Sequence, residues 1–214
     1  MMTIPFVPNT PDDTHCVGAV YRMVHQYFFH EDISWEEIDR ITRKEKGKGI
    51  WTFPLDIVFA KKGLRIRNIE DVEYQKLYTQ KAQYIQNHFG KQNAEYYVYQ
   101  SNILSLIDLI PEYLHVVMQE TRKATIADIR TYLTEGCLIG AELDSGRLNG
   151  GKSGCLHYVL LYGITDDTIM LHDPGLPPQK ARVVPIEKFT DACFYEGAGC
   201  ALTIFSDQST LLHR

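Results

Sequence analysis

The 214-residue chain contains no apolar run approaching the ~18 residues that a membrane-spanning helix requires, so no membrane is expected among its partners. Its first residues, "MMTIPFVPNTPDD", lack a basic stretch followed by an apolar one, and no signal peptide is read there. Positive charge is also scarce: 22 Lys and Arg stand against 27 Asp and Glu, for a net charge of −5. Nucleic-acid binding needs clustered positive charge, so that class is excluded. The one basic run, "RKEKGKG", is interrupted by Glu45 and reads as a solvated loop. Cysteine is sparse and odd in number, at positions 16, 137, 155, 193 and 200, with no paired spacing. Free thiols in a reducing compartment, by default the cytoplasm, are the expectation. Internal repeats and low-complexity tracts are absent too.

What is present is ordinary for a globular protein: 44% apolar and 23% charged residues, enough for one good core in a single domain over residues 1–214. From Cys16 to Phe29 the apolar residues Val17, Val20, Tyr21, Val24, Tyr27 and Phe28 recur at three and four, one stripe of a helix. "SWEEIDRITRK" predicts a second helix, with Ser34 and Glu37 at capping-box spacing. "TFPLDIVFAKKG" predicts a third, with Pro54 in the first turn and Gly63 closing it. "LRIRNI" alternates as a short strand. The Tyr-, Gln- and Leu-rich stretch at about 72–123, broken at "FGKQN" and Pro111, predicts a helical insertion. "TIADIRTYLTEG" predicts a helix capped by Thr125 and closed by Gly136. Thereafter "CLIGAEL", "HYVLLYGI", "TIMLHD" and "CALTIF" read as short strands between turns. Helices first and an antiparallel sheet last predict an α+β fold.

Three pieces could carry chemistry. Asp13 or Thr14 is a plausible N-cap, which puts Cys16 in the first turn of its helix. There the helix dipole and unpaired N–H groups favour a thiolate and could also stabilise an oxyanion. A buried, inert thiol is the alternative for a lone cysteine. His157 opens an apolar strand after the Gly/Ser-rich loop "DSGRLNGGKSG", where its ring could meet a substrate. Asp173 ends the next strand in "LHDPG". A Cys–His enzyme needs a base beside the thiol and an orienter on the base's other nitrogen, and these three residues supply that set.

Strand register imposes a condition on the set. A two-residue Asp166-Asp167 turn alone would oppose Asp173 to Leu160, on the face opposite His157. A three-residue loop, Thr165 to Asp167, would oppose it to Val159, on the face of His157. The triad therefore requires an odd loop or a bulge, for which Gly163 is the candidate.

The helix-opening Cys16 preceded by "VPN", with "HYVLLYG" and "HDPG" far downstream, resembles the C39-like branch of the papain-like cysteine peptidases. That family's pattern is roughly V-P-Q, a few polar residues, D-C-G-x-A, and later G-H-[YF]-V-V-x-x-G and D-P. The resemblance implies a papain-like α+β fold with the nucleophile at a helix start, and peptide cleavage typically after a double glycine. It implies Cys16 as nucleophile, His157 as base and Asp173 as orienter. The family's oxyanion glutamine falls at Thr10 here, and Asn9, one step earlier, is the substitute donor. Val17 stands where the family has Gly, and Cys155-Leu156 where it has Gly before His.

The function expected is hydrolysis of a peptide or small amide through a thioester, with no cofactor and no metal. An acyl or amide transferase on the same triad is an alternative; so is a non-catalytic peptide-binding module. Arg147 and Asn149, in the loop before His157, are candidate substrate contacts. His15 adjoins Cys16, but neighbours on a helix do not face each other, so it is not expected to be the base. His172 alternates away from the face of Asp173 and is expected to be structural or exposed. Cys155 and His157 share a strand face, yet no CxxC or HxxxH spacing supports a zinc site. Trp51, Phe53, Tyr96, Tyr97 and Tyr99 are expected to pack in the core or insertion, the alternative being a substrate groove.

Overall fold

The computed structural model describes residues 3–152, 154–194 and 200–207; the side chains of 91–93 and of Tyr96 lie outside that description. The first helix, α1, runs over Cys16–Phe29, so the thiol opens it as its sequence pattern predicts. Its N-cap is His15, which lacks a side-chain cap, in place of the expected Asp13 or Thr14. Those side chains are engaged elsewhere: Asp13 accepts from the Asn9 amide, and the Thr14 hydroxyl donates to Asp12. The Asn9 side chain instead orders the turn before the helix, its Oδ1 accepting from the backbone N–H groups of Thr10 and His15, each at 2.9 Å.

Helix α2 (Trp35–Thr42) is capped by Ser34, whose hydroxyl accepts from the Glu37 N–H. The Glu37 carboxylate pairs forward with Arg40. Helix α3 (Phe53–Lys61) carries Pro54 in its first turn, and Gly63 leaves it at a φ of 102°. Strand β1 (Arg65–Glu70) follows. The stretch expected as a helical insertion holds α4 (Tyr74–Gln80), α5 (Ala82–Tyr99, kinked at Gly90), α6 (Ile103–Leu106) and α7 (Ile110–Val116). It ends in a strand, β2 (Met118–Thr121), that pairs in parallel with β1. The insertion is no separate lobe: Tyr74, Leu77, Ile85, Ile103, Leu106, Ile110 and Tyr113 share one buried cluster with Val20, Tyr21 and Met23 of α1.

Helix α8 (Ile126–Thr134) has a full capping box between Thr125 and Asp128. Then come β3 (Leu138–Asp144), the short α9 (Ser145–Leu148), β4 (Leu156–Ile164), β5 (Thr168–Asp173), β6 (Gln179–Pro185), α10 (Ile186–Cys193) and β7 (Leu202–Ser206). The seven strands form one sheet in the order β2-β1-β7-β3-β4-β5-β6, antiparallel except for β1 with β2.

Side-chain alternation divides the core into two layers. Leu138, Tyr158, Leu160 and Phe205 face the cluster built with α1, α3 and the helices of 72–116. Ile139, Ala141, Val159, Leu161, Leu171 and Ile204 face a second cluster with Ile129 of α8 and Phe189 of α10. The result is an α+β fold in which a mostly antiparallel sheet is covered by helices on both faces. Trp51, Phe53 and Tyr97 pack against one another, with the Trp51 N–H donating to Ser101, whereas Tyr99 is exposed. Among the described residues, no helix is long and apolar enough to cross a membrane.

The cysteine expectation is corrected. Cys193 at the end of α10 and Cys200 before β7 stand 5.1 Å apart at Cα and are joined as a disulfide. An odd total does not preclude a pair when the fold returns one residue to the other across so short a gap. Cys16, Cys137 and Cys155 are free.

Candidate active site

Strands β4 and β5 meet the register condition through the bulge. The turn is the two-residue Asp166-Asp167, closed by the Thr165 N–H donating to the Thr168 carbonyl at 2.8 Å. Ile164 faces Ile169 and Gly163 faces Met170, but the pairing shifts between Leu161 and Gly163. Beyond the shift Leu160 faces His172, and continuing one step places Asp173 opposite Val159. His157 and Asp173 therefore share a sheet face. Their side chains meet, with Nε2 of His157 2.7 Å from Oδ1 of Asp173.

With Nε2 held by the carboxylate, Nδ1 is the ring nitrogen left for the thiol. Cys16 acts electrostatically on the His157 ring, so the first residue of α1 and the start of β4 lie at one site. His157 and Asp173 are buried, while Cys16 is partly exposed. Burial alone disfavours the imidazolium. The hydrogen bonds and negative charge offered by Asp173 and Cys16 outweigh it, and the His157 pKa is raised to about 10. Burial also opposes ionisation of Asp173. Its bond and attraction to His157, the Gly175 N–H and Arg182 reverse that, holding its pKa below the usual value.

Two further contacts position these groups. Gly175 donates its N–H to Asp173 Oδ1 at 3.0 Å, and a Cβ on Gly175 would lie 3.1 Å from both Cε1 and Nε2 of His157. The backbone of the "DPG" turn thus lies directly against the His–Asp pair. The Asn9 N–H donates to the Pro174 carbonyl at 2.8 Å, joining the segment before Cys16 to the same turn. One amide hydrogen of Asn9 is committed to Asp13, at 2.7 Å.

The other residues singled out in the sequence fall as follows. Arg147 donates to Asp191 on α10 at 3.1 Å, and the Asn149 side-chain oxygen accepts from Arg182 at 3.0 Å. His15 is directed away from the thiol: its ring reaches Thr10 at 2.7 Å and Asp39 at 3.0 Å and packs edge-on against Trp35. His172 is buried and structural. Its Nδ1 accepts from the Ala181 N–H, which leaves Nε2 to donate to the Ile4 carbonyl. Cys155 is exposed. Among the described residues, no group of three or more His, Cys, Asp or Glu side chains is placed to hold a metal ion.

Sequence reasoning missed two charged residues here. Arg182, on β6, donates to Asp173 Oδ2 at 2.7 Å. Lys44, from the basic run read as a loop, lies within electrostatic reach of Cys16, Asp12 and Asp39, and burial lowers its pKa. Neither has a local signature, because both reach the site only through tertiary structure.

Comparison with known proteins bears on the fold and the family. The solved peptidase domain of Streptococcus ComA, a bifunctional ABC transporter of a quorum-sensing pathway, superposes with a TM-score of 0.51 at 14% identity. The superposition covers 96% of this chain and all of that domain, and it establishes the papain-like fold. No curated protein matches the sequence. The model of the Peptidase_C39 like family, however, matches residues 3–202, almost the entire chain, and the protein therefore belongs to that family.

Proposed function

We propose that this protein is a cysteine peptidase or related amidohydrolase that cleaves a peptide or small amide bond through Cys16, His157 and Asp173. The observation that carries the reading is the His157 ring, held by Asp173 at 2.7 Å and within electrostatic reach of the thiol that opens α1. Cys16 Sγ attacks the carbonyl carbon, and the developing oxyanion meets the N–H groups of the first helical turn, which have no preceding carbonyl to bond. The remaining amide hydrogen of Asn9 is the second donor. His157 gives its proton to the leaving amine, and a thioester remains on Cys16. The imidazole then takes a proton from water, which attacks the thioester and releases the acid. Asp173 keeps the imidazole in the orientation and tautomer that both steps use. No cofactor enters these steps. Substrate contacts by Arg147 and Asn149 would require them to exchange Asp191 and Arg182 for the substrate.

The test is the alkylation rate of Cys16 by iodoacetamide against pH, read by peptide mass mapping. A free thiol with a pKa of ~8.5 is about a thousandth ionised at pH ~5.5. The expected wild-type rate at that pH exceeds this level by at least about tenfold, and His157→Ala removes the excess. Equal low-pH rates in the two proteins would refute the triad. With the pair established, turnover is sought on a peptide library with Cys16→Ala as the blank.

A further inference from the structure

The sheet contains a second register shift, and it acts on a third charged residue. Between β5 and β6, Asp173 faces Gln179 but Leu171 faces Arg182, so β6 carries one extra residue opposite His172. Ala181 absorbs it at a φ of 53°, a left-handed conformation that L-residues rarely adopt. Without the extra residue, Arg182 would face Met170 and lie on the other side of the sheet. With it, Arg182 faces Leu171 and shares a face with Asp173 and His157. Strain at a non-glycine residue beside a candidate site persists only where the surroundings enforce it. Here the Ala181 N–H donates to the buried His172 ring at 3.0 Å.

Arg182 uses this placement fully. Nη1 donates to Asp173 Oδ2 at 2.7 Å, while Nη2 donates to the Leu148 carbonyl at 2.9 Å and to Asn149 Oδ1 at 3.0 Å. Its side chain is only 12% exposed and that of Asp173 only 6%, so solvent screens the pair weakly. The two carboxylate oxygens are divided between partners: Oδ1 takes His157 and the Gly175 N–H, and Oδ2 takes Arg182. A carboxylate held at both oxygens cannot rotate away from the imidazole. The same guanidinium grips the end of α9, in the loop that leads to His157.

Resting on the triad reading above, we propose that Arg182 is a positioning residue. It keeps Asp173 ionised with Oδ1 aimed at His157, and it couples that carboxylate to the 148–149 backbone beside the site. It touches neither thiol nor substrate and acts through Asp173.

The experiment is the pH profile of Cys16 alkylation by iodoacetamide on the full chain, comparing wild type, Arg182→Met and Arg182→Lys. Removing an arginine next to an aspartate raises the pH at which the carboxyl protonates by about one to three pH units. In Arg182→Met the low-pH limb is therefore expected to move up by about one unit, with the rate on that limb falling about tenfold. Arg182→Lys restores the charge and returns most of the limb. A cooperatively folded Arg182→Met with a wild-type limb overturns the proposal, even if its melting temperature is lower. If Arg182→Met does not fold, Arg182→Gln, neutral but still a donor to Leu148 or Asn149, makes the same comparison. A wild-type profile with no low-pH limb is a different failure. It refutes the triad itself, and this proposal with it.

Discussion

Asp56 makes a quantitative test of the packing beneath α1. It is fully buried on α3, and Tyr21 of α1 donates its hydroxyl to Oδ1, while Oδ2 has no partner. Burial raises its pKa from 3.8 to about 7, with the Tyr21 hydrogen bond opposing the rise. A shift of that size corresponds to about 4 kcal/mol between the two protonation states. The folded state holds the proton to higher pH than the unfolded chain does. Stability from this group is thus full below about pH 4, falls as pH rises, and levels off above about pH 7. Between about pH 5 and pH 8 the loss integrates to about 2.5 kcal/mol. Asp56→Asn retains the acceptor for Tyr21 and cannot ionise, so it lacks this loss. Urea unfolding of both proteins at the two pH values gives the stability change caused by the substitution at each. That change should be more favourable at the higher pH by about 2.5 kcal/mol. The comparison cancels any pH-independent cost of placing an amide there. A substitution effect that is the same at both values, within about 0.5 kcal/mol, refutes the buried-acid account.

Two further substitutions test close backbone approaches. Gly175→Ala places a methyl group 3.0–3.1 Å from Asp173 Oδ1 and the His157 ring. It should slow Cys16 alkylation at low pH while changing stability by no more than about 1 kcal/mol, measured by paired alkylation and urea curves. Gly140→Ala puts its methyl carbon 2.7 Å from Cε1 and Cζ of buried Tyr158, whose hydroxyl donates to Thr203. A rigid ring packed inside the cluster beneath α1 has nowhere to move, so a loss of about 2–3 kcal/mol is expected in urea unfolding.

The parts of the fold that could be read from sequence are those whose signals are local. The helix from Cys16, the Thr125 cap and strand β5 obey short-range periodicity or capping chemistry, and they stand where that chemistry puts them. The register argument went further because side-chain alternation is a parity rule. It reduced the placement of Asp173 to the presence of one extra residue, which the shift at Leu161/Gly163 supplies. Strand β6 escaped notice because it is an edge strand with a largely exposed, polar pattern and a proline at its end. Arg182 was missed with it. Strand β2 was missed because four residues after a helical stretch have too little periodicity to register, and its pairing with β1 is non-local. The cap of α1 was misassigned for a related reason. Three eligible polar side chains precede His15, and only the folded turn determines that they bond to one another and to Asn9, leaving the helix without a side-chain cap.

The tie between Asn9 and Pro174, with its neighbour between Ile4 and His172, has a consequence for biosynthesis. Cys16 leaves the ribosome before His157, with most of the chain between them. Contacts at such separation form after local ones, since loop closure must come first. A nascent or partly folded chain therefore carries a solitary thiol with no imidazole beside it. Cys16, His157 and Asp173 come together only when β4 and β5 dock against α1 and the segment that precedes it.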